Sequence, residues 1–453
     1  MDLTPTLLLR PHDFHSAFTQ PTFRTFVDLV TGWVLSGRRR FITECVFSVG
    51  RIGQGHWCRY HRFFSHAAWS LDTPCMLLAR SFVARFVPTG PILLGGDDTP
   101  CRKRGLTLFG AGMRHDPLMS SKALKVFSWG HDWVVLFLPP PAPKWAPSKV
   151  FALPVGCRLY KNRQGLAKGR PKDKATRRPA DPNHRTRPQL LVELLALFAA
   201  WFPDRPVVVS ADSAYGGQSV LRKLPPRVDF ISHVHPKGVL YTPPPPPTGR
   251  QGAPRKKGRR PPGLEAWADD PNQPWRELKF DQFGLHTTPR IKTRQAPYYT
   301  AGKGRLLTIV LTRDAQGQRP DHRFYRTRLD WDARTILSTY ACRWGVEVAF
   351  ENGKQLLGLA DPANRLPRAV ERTAPMALAP PGLIVAWFDR EGHRQVRFPE
   401  KPWYRHKHEP SFADMPTTLR RLTWRENLTR LRPQDGVAEK QLEQLLEMAC
   451  RAG

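Results

Sequence analysis

Pro91-Ile92-Leu93-Leu94-Gly95-Gly96-Asp97-Asp98-Thr99 is where the character of this chain changes. Five apolar or small residues after Pro91 run into two carboxylates, which reads as a buried strand with acids at its end. Neighbouring residues on a strand point to opposite faces, so only one of Asp97 and Asp98 reaches any given site. Strand-like runs follow at Leu106–Gly110, Val126–Leu138 and Lys149–Tyr160, and Pro188–Phe202 is apolar at helical spacing. A second β-branched run, Pro206-Val-Val-Val-Ser-Ala-Asp212, again ends on an acid, and Val228–Val234 reads as another strand. Strands and helices alternating in this way predict an α/β fold with a mixed sheet. In such sheets functional groups gather at the ends of central strands.

Upstream, residues 1–88 read as helical. Phe23, Phe26, Val27, Val30 and Val34 recur at helical spacing, and Gly37 with Arg38, Arg39 and Arg40 closes that helix on a basic cluster. A second helix is expected at Phe41–Val49. A third is expected from Asp72 or Thr73 as cap, with Pro74 at its first position. Between them, Gly55–His66 mixes basic and aromatic residues, and the whole reads as a small domain that grips DNA. His56, Cys58, His61 and His66 match no structural zinc spacing.

Downstream, Arg158–Arg187 is rich in Lys, Arg, Pro and Gly and reads as a basic connector. A low-complexity stretch holds five consecutive prolines after Thr242 and the basic run Arg255-Lys256-Lys257-Gly-Arg-Arg260. Strand-like reading resumes at Leu278–Phe280, Ile291–Thr293 and Leu306–Thr312. Residues 366–391 read as a helix that Pro380-Pro381 should break. The tail carries Trp403–His408, and Leu442, Leu445, Leu446 and Met448 on one side of an amphipathic helix read as a self-association surface.

The run Trp331–Leu357 reads as one helix starting near Asp332 or Thr335. At about 100° per residue, Tyr340, Arg343, Glu347 and Lys354 fall within an arc of roughly 60°. Leu337, Ala341, Trp344 and Val348 supply the packing side. A phenol, a guanidinium, a carboxylate and an ammonium in one stripe suit a surface that holds a phosphodiester and a metal ion together. Salt-bridged surface helices also scatter charge, and Glu351 lies on the same face as Glu347.

Composition narrows the partner. The chain has 453 residues, enough for two or three domains, and a formal net charge of +33. Its pI is near 10.6. Basic residues spread along the whole length point to a polyanion, nucleic acid first among them. No apolar run reaches the ~18–20 residues of a bilayer span. Seven scattered cysteines without a C-x-x-C pair fit a reducing interior rather than a disulfide framework. A cytoplasmic, nucleoid-associated protein is expected.

Three acids thus stand out: one near residue 97, Asp212 and Glu347. Phosphodiester cleavage needs an activated water and a stabilised leaving oxygen, which two divalent ions held by carboxylates provide. Hard oxygen ligands select Mg²⁺ or Mn²⁺.

The spacing Tyr340-x2-Arg343-x3-Glu347-x6-Lys354 resembles the YREK signature of insertion-sequence DDE transposases. The resemblance implies a ribonuclease-H-like core, a mixed sheet with flanking helices, interrupted by a β-rich insertion. Asp97-Asp98-Thr99 matches the family's D-x-[ST] and favours Asp97 over Asp98; Asp212-Ser-Ala-Tyr215 matches the second acid. It makes Glu347 the third metal ligand, with Glu351 as runner-up, and gives Tyr340, Arg343 and Lys354 contacts to the transposon-end backbone. It further implies two Mg²⁺ or Mn²⁺ ions, cut-and-paste transposition and a homodimer acting on double-stranded transposon ends and target. The expected map is a helical DNA-binding domain at 1–88, core at 89–235, insertion at 236–304, core with catalytic helix at 305–375, and a helical tail at 376–453. A catalytically silent DNA-binding derivative and a ribonuclease-H-fold nuclease without strand transfer are the competing readings. The double proline and the polyproline loop depart from the family pattern.

Overall fold

The computed structural model describes residues 12–37, 39–51, 55–116, 119–162, 183–246, 255–282, 285–398 and 406–430. Arg38, most of the basic connector, Trp403–Arg405 and the tail leucines at 442–446 lie outside the described residues.

The described chain opens with helices α1 (His12–His15), α2 (Gln20–Leu35), α3 (Ile42–Ser48), α4 (Cys58–Ser65) and α5 (Asp72–Phe86). Then come strands β1 (Ile92–Arg102), β2 (Gly112–His115), β3 (Phe127–Leu138) and β4 (Leu153–Tyr160). Helix α6 (Arg187–Trp201), β5 (Val207–Ala211), α7 (Gln218–Leu221) and β6 (Val228–His233) complete that half. The next segment holds α8 (Leu264–Ala268), β7 (Arg276–Glu277), β8 (Phe280–Gln282), β9 (Leu285–Thr287), β10 (Arg290–Pro297) and α9 (Tyr299–Gly302). It continues with β11 (Leu306–Arg313) and β12 (His322–Arg326), and the chain closes with α10 (Ala333–Ala341), α11 (Trp344–Leu357), α12 (Pro367–Arg390) and α13 (Asp414–Arg430).

One mixed sheet organises the molecule. Its order is β2-β3-β1-β5-β6-β12-β11-β10-β7, with β4 also paired to β3. At its centre β1, β5 and β6 run parallel, and β3 lies antiparallel to β1. The run β4-β3-β1-β5-β6, with helices on both faces, is compatible with a ribonuclease-H-like core. Beyond β6 the antiparallel strands β12, β11 and β10 extend the same sheet. The boundary expected at 304/305 therefore falls inside the β10–β11 hairpin. Leu106–Gly110, read as a strand, forms turns instead.

Glycines set how closely helices approach the central strand. A Cβ on Gly95 would stand 2.8 Å from Val346 Cγ2 of α11, and one on Gly96 would stand 2.7 Å from Leu191 Cδ1 of α6. The two glycines alternate faces, so α11 and α6 press on opposite sides of β1. Helix α6 starts on a complete capping box between Thr186 and Gln189.

Two helix expectations fail for identifiable reasons. The run 331–357 is not one helix: Asp332 caps α10 by accepting from the Thr335 N–H, and α10 ends at Ala341 before α11 starts at Trp344. Trp344, assigned to the packing side, is 61% exposed. By contrast α12 runs unbroken for 24 residues through Pro375, Pro380 and Pro381. Each proline removes an intrahelical donor, but nearly the whole helix is buried. Tertiary packing outweighs the local penalty there. The boundary expected at 375/376 accordingly cuts a helix.

Helices α2 and α4 pack on α12, and α13 packs on α2 and α12. The Trp33 indole N–H donates to the Leu357 carbonyl at 2.9 Å, and buried Arg372 of α12 donates to the carbonyls of Phe64 and Ala67. Phe26, Trp33, Phe64, Phe137, Leu191 and Trp387 all belong to one continuous core. The basic-aromatic segment around His56–His66 contributes to it, since Tyr60, Phe63 and Phe64 of α4 are buried.

Candidate active site

The parallel pairing of β1 with β5 places Gly96 opposite Ala211. The next residues, Asp97 and Asp212, therefore lie side by side. Asp212 sits just past the end of β5, but Asp97 is in the middle of β1, which does not end at the acids as expected and runs on to Arg102 against β3. Asp212 is fixed by the turn that follows: its Oδ1 accepts the Ala214 N–H at 2.9 Å, and the Ser232 hydroxyl donates to its carbonyl at 2.7 Å.

Arg343 brings the third acid in. Its Nη1 donates to Asp97 Oδ2 at 3.0 Å and its Nη2 to Glu347 Oε1 at 2.7 Å. The guanidinium thus bridges a carboxylate from β1 and one from the first turn of α11. Glu347 projects from the helix that Gly95 admits close to β1, and Gly95 and Asp97 share a strand face. Burial first, and then the neighbouring Asp212 charge, push the Asp97 carboxyl up to about 7, against the Asp98 N–H and Arg343.

Asp98 faces the other way. Its Oδ1 accepts the Tyr215 hydroxyl at 2.6 Å, and Arg187 at the start of α6 lies 3.2 Å from its Oδ2. Arg187 also forks onto Asp132 of β3, a carboxylate only 1% exposed. Burial, followed by Asp132, pushes Asp98 up to about 6. The signals for this second cluster were an acid inside the apolar run of β3 and an arginine opening a capped helix. Neither was singled out in reading the sequence.

The remaining expected residues divide. Glu351 is exposed and accepts from the Gln355 amide at 3.3 Å, whereas Arg343 bonds to Glu347 and Asp97. Tyr340, on α10 and not on the helix of Glu347, packs its ring 5.0 Å from His233 and 4.8 Å from Phe324. Burial, then His322 and Arg343, depress His233 to about 4, so the ring beside the site is neutral. Lys354 is half-buried two turns beyond Glu347, where its charge opposes the burial that raises the Cys101 thiol of β1. Arg39, Arg255, Lys256 and Lys257 are exposed, and the Lys257 ammonium lies 4.5 Å over the Tyr241 ring. Arg40 is a correction: it is 6% exposed, with its backbone N–H bonded to Asp361 at 2.9 Å, so it is not part of an exposed basic cluster.

Among the described residues no three His, Cys, Asp or Glu side chains already form a metal-ready group. The donor set nevertheless fits a hard divalent cation. Asp97, Asp212 and Glu347 offer only carboxylate oxygens, and Asp212 adds to the burial that raises Asp97 even with Arg343 paired to it, so negative charge is crowded there.

Residues 13–303 match the family of DDE superfamily endonucleases. The match spans α1 to α9 and includes Asp97, Asp98 and Asp212; Arg343 and Glu347 lie beyond it. No curated protein matches the chain. With most of its length in that match, the chain belongs to the DDE superfamily endonucleases.

Proposed function

We propose that this protein is a metal-dependent DNA transposase. In this reading it nicks DNA at transposon inverted repeats and joins the freed 3′ end to target DNA, as a homodimer. The observation that carries it is the Arg343 bridge, which sets Glu347 of a late helix against Asp97, beside Asp212. Asp97, Asp212 and Glu347 would hold two Mg²⁺ or Mn²⁺ ions, whose chemistry is to sharpen the attacking water and stabilise the leaving oxygen. Arg343 and Lys354, with Arg39, Arg255, Lys256 and Lys257 further out, supply cations for the phosphate backbone, and Tyr340 braces Arg343 from below. The ribonuclease-H-like description of the core is part of the same reading. The described residues contain no helix long and apolar enough to cross a membrane.

The test is cleavage of duplex carrying the DNA that borders the gene, in Mn²⁺. E347Q is expected to bind that duplex as wild type does and to lose about 10²–10³-fold in nicking rate, the scale of removing one charge-stabilising group. E351Q is expected to cut normally, and equal cutting by E347Q would remove Glu347 from the site. The family description itself supports a second reading, an endonuclease without strand transfer. Adding a target plasmid separates the two, because only the transposase yields joined products.

A further inference from the structure

Arg343 occupies the position a cation must take. Both of its terminal nitrogens are spent on the acids that the proposed function assigns to metal, Asp97 and Glu347. Its Nε is buried without a hydrogen-bond partner, and its side chain is only 17% exposed. It sits in the two-residue break between α10 and α11, not inside a rigid helix. A divalent ion approaching Asp97 and Glu347 must displace the guanidinium from both. Released, that guanidinium is a largely desolvated charge with only the Tyr340 hydroxyl left beside it as an acceptor, which is costly. A phosphodiester is the acceptor that resolves the conflict, since its oxygens match the planar fork and carry the countercharge.

We infer that Arg343 is a positioning residue that holds the place of the metal until a DNA phosphate draws it away, so that duplex and divalent cation bind cooperatively. This rests on the reading of Asp97 and Glu347 as metal ligands. It makes the protein reluctant to load metal without DNA. By linkage, the factor by which duplex tightens metal binding equals the factor by which metal tightens duplex binding.

The experiment titrates the full-length protein with Mn²⁺, following the free ion by electron paramagnetic resonance, with and without a short duplex at low salt. Wild type should bind Mn²⁺ at least about tenfold more tightly with duplex present, within the usual range of coupling between sites. R343Q should bind Mn²⁺ at least about tenfold more tightly than wild type without duplex, and should lose the dependence on duplex. R343K keeps a charge but cannot grip both acids at once, and should fall between the two. If R343Q fails to fold, judged by its melting curve, R343K decides alone.

Mn²⁺ affinity in duplex-free R343Q or R343K no higher than wild type overturns the inference. The D97N arm tests the site itself. If D97N abolishes Mn²⁺ binding while the Arg343 variants match wild type, the acids stand and only the gating role fails. If D97N binds Mn²⁺ undiminished, the site reading fails and the inference with it.

Discussion

Asp97 and Asp98 are adjacent in sequence, yet β1 turns them towards different partners. Asp97 meets Arg343 and Asp212, whereas Asp98 is held by Tyr215 and Arg187. The Asp97 carboxyl, lifted to about 7 from 3.8, prefers its protonated form in the folded protein. The stability this confers is complete below the unfolded value and is lost as pH rises through about 7. Metal-free protein should therefore carry a penalty at pH ~8 that D97N relieves, on the order of 1–3 kcal/mol. The check is a pair of melting curves: D97N above wild type at the higher pH, with the gap closing towards pH ~5. Identical curves at both values would mean that Asp97 is not under electrostatic stress. Alternation along a strand was legible from sequence and required that the two acids diverge. Which of them faced Glu347 was favoured only by the family resemblance and not by the strand pattern, because it depends on the side that α11 takes.

The decisive contact between elements is that of α11 with β1 at Gly95. Because an added Cβ would lie 2.8 Å from Val346 Cγ2, G95A must push α11 outward or force Val346 from its rotamer. The expected cost is about 1–3 kcal/mol of stability. Nicking should fall as well, since Glu347 follows Val346 directly. Trimming the opposing methyl groups in G95A/V346A should recover part of both losses, and a double mutant no better than G95A would show that the strain lies elsewhere. At this scale local patterns read well where one face is buried: α2, α6, β3, β5 and β11 lie close to where periodicity puts them. The patterns failed where a tertiary partner decides. The residues at 342–343 have ordinary helical composition and yet separate α10 from α11, while α12 stays helical through three prolines because the core encloses it. Across that break Arg343 still reaches Glu347 four residues on.

For the whole molecule, charge and length indicated a nucleic-acid partner but said nothing of how the parts share their interior. Residues 1–88 read as a separate domain, with phenylalanines at helical spacing on α2. Those phenylalanines are buried in a core that includes α12 and the sheet. A fragment of residues 1–88 should consequently lack a cooperative thermal transition by circular dichroism, whereas the intact chain shows one. A sharp transition in the fragment would restore it as an independent module. The shared interior carries a consequence for the protein's history and for its redesign. Lineages that exchange whole segments need a seam where little is buried, and among the described residues the helices before β1 share their core with the sheet and α12. A foreign amino-terminal half grafted before β1 would have to match that shared interior side chain by side chain, whereas exposed positions on the helices carry no such constraint.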